Sequence, residues 1–458
     1  MTERFEIVEK AIITMLEDKK YAALRDILAT MNPVDVAEVF SELKERQIPL
    51  LFRLLPKELA AEAFAEMDPE DQELLITGFS DNELKELLDE LYADDAADMV
   101  EELPANVVKR ILRQATPEMR SAINQILRYP ENSAGSMMTT EYVSLRPMMT
   151  VEEAILRIRR QGVDKETIYT CYVTEGRRLL GLVTVKDLLL CDDDETQIRD
   201  IMLTNLISVN THTDQEEVAR TLSKYNFLAL PVVDMENRMV GIVTFDDAMD
   251  VMEDEATEDM EIMGGMLPSE KTYLKSSVFE LFKNRIPWLL LLMVSATFTG
   301  MIITKFEDAL AAQAALTAFI PMLMGTGGNS GSQSSVTVIR ALSLDELRFA
   351  DLPRVIWKEL RTAVMCGVAL ALVCFVKIWL VDRMLLGNDG ISLAVNAVVC
   401  LALMVTVVAA KLVGAVLPLG AKLLGLDPAV MASPFITSIV DALSLLVYFF
   451  FARALLGI

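Results

Sequence analysis

Residues 433–456, SPFITSIVDALSLLVYFFFARALL, read as a membrane-crossing helix that carries an aspartate where hydrocarbon should lie. The apolar stretch from Ala429 to Ala452 has about 24 residues at about 1.5 Å each, enough for a hydrocarbon core roughly 30 Å thick. Asp441 is its only charge. An ionised carboxylate at that depth costs roughly 2.5–3.5 kcal/mol, so a cation, a water-filled path or a polar neighbour must compensate it. One reading is a carboxylate hydrogen-bonded to serines and threonines of a neighbouring helix, with a structural role alone. The other is an ion path, because intramembrane carboxylates usually face a cavity and mark cation or proton routes. Thr437 lies four residues before Asp441 and shares its face, and Pro434 is expected to disturb the helix and free a carbonyl. All three then offer oxygens to one hydrated site.

Working outward, five spans are expected, at about 286–304, 309–339, 362–382, 392–417 and 429–453. The second is about 31 residues, some 46 Å as one straight helix, and is interrupted by GTGGNSGSQSS, so it must tilt, break or run beyond the bilayer. Gly325, Gly327, Gly328 and Gly331 permit close approach or a break, while Asn329, Ser330, Ser332, Gln333 and Ser334 supply uncharged oxygens. Such residues also pack membrane helices without conducting anything. Together with Asp441 they suit a cation that keeps much of its water, as Mg2+ does. Lys377 and Lys411 are expected near helix ends, where they can snorkel away from Asp441.

Charge divides the chain. Of 67 acidic and 42 basic side chains, 10 and 11 lie from Ile286 onward, so the whole net charge of −25 is carried before the spans. That field suits cations and does not suit nucleic acid. The mean hydropathy of +0.35 is odd for a soluble protein. The opening MTERFEIVEK is charged and has no signal-peptide pattern, so the N-terminus is expected in the cytosol. The 340–361 connection carries Arg340, Arg348, Arg354, Lys358 and Arg361, against Arg383 alone in 382–391. The first is therefore cytoplasmic, and five spans put the C-terminus outside. The five cysteines show no ligand spacing and read as reduced thiols. His212 is the only histidine, too few for an imidazole metal cluster.

Residues 1–130 read as short amphipathic helices in a superhelix, with DVAEVFSEL, ELAAEAFAEM, ELKELLDEL and DAADMVEEL recurring and Pro33, Pro56, Pro69, Pro104 and Pro117 near the joints. From 131 to 253 a second repeat matches LLGLVTVKDLLL to MVGIVTFDDAMD, each copy reading as strand, helix, strand, strand, helix. This resembles a tandem pair of CBS domains, an α/β Bateman module. Residues 254–285 form an acidic start and a connecting helix, and 286–458 an all-α domain of five transmembrane helices.

The whole chain resembles the MgtE family of magnesium channels, most specifically in GGNSGSQ, in EATED after the second CBS copy, and in DPAxxxxPxITxxxD from Asp427 to Asp441. Residues 254–285 would then be that family's plug helix. The resemblance implies a homodimer with the pore on its axis, Asp441 holding a largely hydrated Mg2+, and Asn329 lining the same pore. It implies regulatory Mg2+ ligands among Glu62, Asp94, Asp98, Asp247, Asp250, Glu255, Glu258 and Asp259, which close the pore when cytosolic Mg2+ is high. Where the family favours glycine three residues after the pore aspartate, this chain has Ser444. CBS pairs commonly hold adenine nucleotides, so the resemblance also implies ATP as a regulatory ligand, with Thr184, Asp187, Thr244 and Asp247 near phosphate and ribose, Tyr169 stacking on a base and Lys186 meeting phosphate. No GxxxxGK[ST] loop is present, which argues against an ATP-driven pump, and no enzyme is expected. The alternative is a CBS-regulated transporter of Co2+, Mn2+ or Ni2+, or a proton-coupled exchanger. Oxygen-only ligands favour Mg2+ or Mn2+ over the softer ions.

Overall fold

Proline and short polar joints divide the first part of the chain into helices too short to stand alone. The computed structural model describes residues 2–269, 273–274, 276–344, 346–385, 387 and 390–457. It separates into two units, Met1–Glu253 and Asp254–Ile458. In the first, helices α1–α10 run between Thr2 and Ile126, among them α5 (Lys57–Ala65), α8 (Ala93–Glu102) and α10 (Pro117–Ile126). Pro33, Pro69 and Pro117 stand in the first turn of their helices and Pro56 and Pro104 just before theirs, where a missing N–H costs nothing. Phe52 joins successive helices by meeting the rings of Phe40, Phe64 and Phe79 at 6.3, 6.2 and 5.4 Å. The expected helical stack is present.

Two copies of one α/β unit follow. The first is β1 (Tyr142–Leu145), α11 (Val151–Gln161), β2 (Thr167–Glu175), β3 (Arg178–Thr184) and α12 (Val185–Leu189). After α13 (Ile198–Ile201) come β4 (Val209–Asn210), α14 (Gln215–Tyr225), β5 (Ala229–Val233), β6 (Met239–Thr244) and α15 (Phe245–Met263). Each sheet pairs its first two strands parallel and its last two antiparallel. The glycine of each G-apolar-V-T phrase leaves room for a crossing segment: a Cβ at Gly241 would lie 2.6 Å from the Thr139 carbonyl oxygen. The tandem CBS architecture is thus the observed one.

In the second unit, α16 (Val278–Lys305) is one helix, so VFELFKNR opens the first span, while the acidic EDEATED belongs to α15. Then come α17 (Glu307–Ala312), α18 (Ile320–Ser343), α19 (Leu352–Lys377), α20 (Leu393–Leu423) and α21 (Ser433–Leu456). One expectation is not confirmed and two need correction. Among the described residues four helical segments, Val278–Lys305, Phe349–Leu385, Leu393–Leu423 and Pro428–Leu456, are long and apolar enough to cross a membrane, so the count of five is not confirmed. The 309–339 stretch does break, but at Gln313–Phe319, and α18 runs unbroken through GTGGNSGSQSS. Pro434 stands in the first turn of α21, so it starts that helix and does not kink it.

The shortfall has a physical reason. α18 packs against both α20 and α21 and buries Gly327, Gly328, Ser330, Gly331, Ser334 and Ser335 there. A helix enclosed by protein has no need of lipid-like hydropathy, and small residues let backbones approach. A Cβ at Gly414 of α20 would lie 2.2 Å from the Gly331 carbonyl oxygen. Gly414→Val is therefore expected to cost about 1–3 kcal/mol or more by overpacking, read as a lower melting temperature in detergent. Gly420→Ala, at a site with nothing within 4 Å, should leave it unchanged.

Candidate functional site

On α21, Thr437 and Asp441 stand one helical turn apart and both are half-buried. Close contacts set α21 antiparallel to α18: Gly327 faces Val440 and Ser444, Gly328 faces Thr437, and Gly331 faces Ile436. Asn329 follows Gly328 on the open side of α18, where Gly325, Asn329, Gln333 and Thr337 form an exposed stripe at helical spacing. Thr437 and Asp441 thus lie along the seam, Thr437 at the level of Gly328 and Asp441 a turn further along, while Asn329 stands on the exposed face of α18. Asp441 has no hydrogen-bond or ion-pair partner among the described residues. Ser334 and Ser335, the neighbours a purely structural reading would use, donate instead to Glu359 and to the Met431 carbonyl, both at 2.7 Å. Ser444 donates to the Val440 carbonyl at 2.6 Å and is accommodated because Gly327 has no Cβ.

Of the two lysines, Lys377 stands exposed at the end of α19 as expected, whereas Lys411 does not lie near a helix end. Lys377 is held by Asp382 at 2.8 Å, and Lys411 is buried well inside α20. Its Nζ reaches Ser334 Oγ at 3.5 Å.

A second constellation lies in the first unit. α8 buries Ala93, Ala96, Ala97, Met99 and Val100, and the three alanines let it lie close enough to its neighbours for Asp94 to be buried too. Asp94 Oδ1 has no hydrogen-bond partner among the described residues. Burial, with Asp95, Asp247, Glu166 and Glu141 nearby, holds its carboxyl far above the usual range. Burial and the charges of Asp247, Glu66 and Asp246 push Asp95 up to about 7, and burial with Asp247 and Asp95 does the same to Glu166. Asp98 shifts the same way, although it lies at the open edge of the cluster. Asp247 is raised by burial against the opposing hydrogen bond from Thr244 Oγ1 at 2.5 Å. Glu62 and Asp250 join at the periphery, through their fields on Tyr92 and on Glu66.

The expected regulatory ligands therefore divide. Glu62, Asp94, Asp98, Asp247 and Asp250 gather in the first unit, whereas Glu255, Glu258 and Asp259 belong to the second. There Glu258 is raised by burial and by Glu255 and Asp427, and Asp259 accepts from Ser343 Oγ at 3.3 Å. Among the described residues no three acidic, histidine or cysteine side chains converge as a ready-made metal cage. The sequence reading missed Asp95, which stands within DDAAD, and Glu166, which has no local signal.

These raised carboxyls give pH dependence a sign. Between about pH 4 and pH 7 the folded cluster keeps protons that the unfolded chain has released. Its stabilising effect is full at low pH and is lost as pH rises through about 7. Without divalent cation, the first unit is expected to melt roughly 4 °C or more higher near pH 6 than near pH 8. A divalent cation that binds these carboxylates should raise the melting temperature more at the higher pH, where they are deprotonated. Scanning calorimetry at both pH values checks it, and a reversed order would contradict the cluster's charge state.

The nucleotide candidates gather at one end of the first sheet. Thr170 pairs with Thr184, so Tyr169, 66% exposed, stands beside the start of α12. Thr184 and Asp187 close a reciprocal cap on that helix, with Thr184 Oγ1 donating to Asp187 at 2.6 Å. Lys186 is exposed. Thr244 and Asp247 belong to the second copy and to the acidic cluster.

Comparison with known proteins agrees with this order of parts. A family model described as MgtE intracellular N domain matches residues 31–132, CBS domain models match 134–192 and 198–254, and MgtE, described as divalent cation transporter, matches 320–451. The chain is 38% identical over 447 residues to Magnesium transporter MgtE of Thermus thermophilus, covering 96% of this chain and 97% of the relative. It is 33% identical over 444 residues to the Bacillus subtilis protein of the same name, covering 97% and 96%. The solved cytosolic domain of the Mg2+ channel MgtE in complex with ATP is 39% identical, with a TM-score of 0.51, over 53% of this chain and 99% of that one. These relatives are transporters and not enzymes. The chain is a multi-pass membrane protein that belongs to the MgtE family of divalent cation transporters.

Proposed function

We propose that the chain conducts Mg2+ into the cell down the membrane potential and is closed by Mg2+ on its cytosolic side. The observation that carries this reading is Asp441: an acid without a protein partner among the described residues, in an apolar helix, on the seam with a helix that exposes a polar stripe. Lipid is a poor cover for Gly325, Asn329, Gln333 and Thr337. A second copy related by a twofold axis would enclose the stripe as a water-filled path, with Asp441, Asn329 and Thr437 as oxygen ligands for a hydrated ion. The magnesium transporters of similar sequence support the choice of ion. A dication crossing about 100 mV gains about 4.6 kcal/mol, twice the value for one charge, so no ATP hydrolysis is required. The basic 340–361 connection supports cytosolic N-terminal domains and an external C-terminus in the plasma membrane.

The gate rests on the carboxylates. Buried Asp94, with Asp95, Asp98, Asp247 and Glu166, forms an all-oxygen set suited to Mg2+, and Glu62 and Asp250 lie at its edge. Glu255, Glu258 and Asp259 are a second group. Bound Mg2+ would relieve their repulsion and hold the cytosolic modules closed. ATP is the proposed ligand beside Tyr169, Thr184, Lys186 and Asp187, supported by the ATP complex of the related cytosolic domain. Tyr169→Ala is expected to weaken ATP binding about tenfold, as loss of roughly 1–3 kcal/mol of base stacking implies. Titration calorimetry with equal affinity in both forms would remove Tyr169 from the site. Ion choice is tested by uptake into proteoliposomes of Mg2+ against Co2+, Ni2+ and Mn2+. Preferential Co2+ or Ni2+ entry would replace Mg2+ as the cargo.

A further inference from the structure

Lys411 plays no part in the proposed ion path, and it lies away from water. It stands well inside α20 and is 5% exposed. Its Nζ donates to Ser334 Oγ at 3.5 Å, and Ser334 Oγ donates in turn to Glu359 Oε2 at 2.7 Å. No carboxylate among the described residues is within ion-pair distance of Nζ. A serine hydroxyl can accept from an ammonium group while donating to a carboxylate, and Lys411 can only donate. The direction of the relay is therefore fixed, from α20 through α18 to α19.

Large side chains pack α18 at its two ends, Ile320 and Leu323 at one and Val338, Ile339 and Leu342 at the other. Between Leu323 and Val338 it buries only glycines and serines, its backbone lies close to α20 and α21 there, and the side-chain anchors of that middle are Ser334 and Ser335, the latter bonded to the Met431 carbonyl. Ser334 lies five residues after Asn329, about 140° around the helix. It is 2% exposed, whereas Asn329 and Gln333 are open. A bond that anchors Ser334 at the back of α18 therefore determines where Asn329 and Gln333 face at the front.

We propose that Lys411 and Glu359 are positioning residues for the ion path. Joined through Ser334, they hold α18 in the rotation that presents its polar stripe beside Asp441. This inference rests on the reading that the stripe and Asp441 line the path. Its chemistry is that of a buried lysine joined to a half-buried carboxylate through a hydroxyl. Removing one end strands the other charge, whereas removing both strands neither.

The test uses the full chain in proteoliposomes, with Lys411→Met, Glu359→Gln and the double variant K411M/E359Q. Each is made in the parent and in a Gln333→Cys background. Two quantities are read per folded protein: Mg2+ entry, and the rate at which a membrane-impermeant thiol reagent labels the introduced cysteine, with the parent's native cysteines as baseline. Each single variant is expected to slow entry and change the labelling rate by roughly tenfold or more, about 1.4 kcal/mol. The double variant should bring both back toward the parent values. A folded Lys411→Met protein with parental entry and labelling overturns the inference. So does lost entry with unchanged labelling, which a merely structural role would give, and so does a double variant no better than the singles. Where a single variant fails to fold, the double variant decides: parental labelling supports the relay, and abnormal labelling or misfolding overturns it. Asp441→Asn is run alongside. Labelling needs no ion, so failure of the ion-path reading shows as unchanged entry in Asp441→Asn and leaves the labelling result standing.

Discussion

Asp441→Asn is expected to reduce Mg2+ entry into proteoliposomes by roughly a hundredfold or more, about 2.7 kcal/mol, while leaving a folded chain. Asparagine keeps the volume and one oxygen but removes the charge. A hydrated dication must shed its bulk surroundings to enter the apolar layer, and Asp441 is the one acid offered to it within α21. Because the carboxylate has no partner among the described residues, replacing it strands no cation. If it served packing alone, the variant would change stability and leave entry intact. Asp441→Ala separates charge from volume: equal loss in both variants assigns the effect to charge.

Replacing Asp94, Asp95 and Asp247 together by asparagine is expected to have the opposite effect at the gate. Entry should persist while closure by cytosolic Mg2+ requires about tenfold more ion, or disappears. To move a two-state gate from about 1:99 to 99:1 takes about 5.5 kcal/mol of differential binding, which several weak sites must supply jointly, so removing three carboxylates is a large fraction. Folding should not suffer. Asp94 and Asp95 already respond to burial with raised proton affinity, and a neutral side chain lacks their repulsion. A variant that closes at the parental Mg2+ concentration would remove this cluster from the sensor.

How much of this could be read in the sequence depends on the range of the interaction. The repeat of G-apolar-V-T-x-x-D marks two copies of one α/β unit because strand, cap and close-approach glycine all lie within a few residues. Asp441 and Thr437 are legible because a single helical turn joins them. Pro434 is not, because a proline in an apolar run is equally consistent with a kink and a first turn, and only the extended backbone of Ala432 before it decides. The fate of Lys411 is not legible at all. Its relay joins residues 334, 359 and 411 through three helices, and a lysine in an apolar stretch looks the same in sequence whether it snorkels or is enclosed. Glu166 escapes for the same reason, since the packing of the first unit brings it to Asp95 and Asp247.

The most direct test is the initial rate of Mg2+ entry into proteoliposomes holding the intact chain, with free Mg2+ varied on the side of the cytosolic domains and the membrane potential clamped. Entry is expected well above that of empty liposomes, driven by an inside-negative potential without ATP, falling as Mg2+ on the cytosolic side rises. No entry above empty liposomes, or entry indifferent to both potential and cytosolic Mg2+, would contradict it.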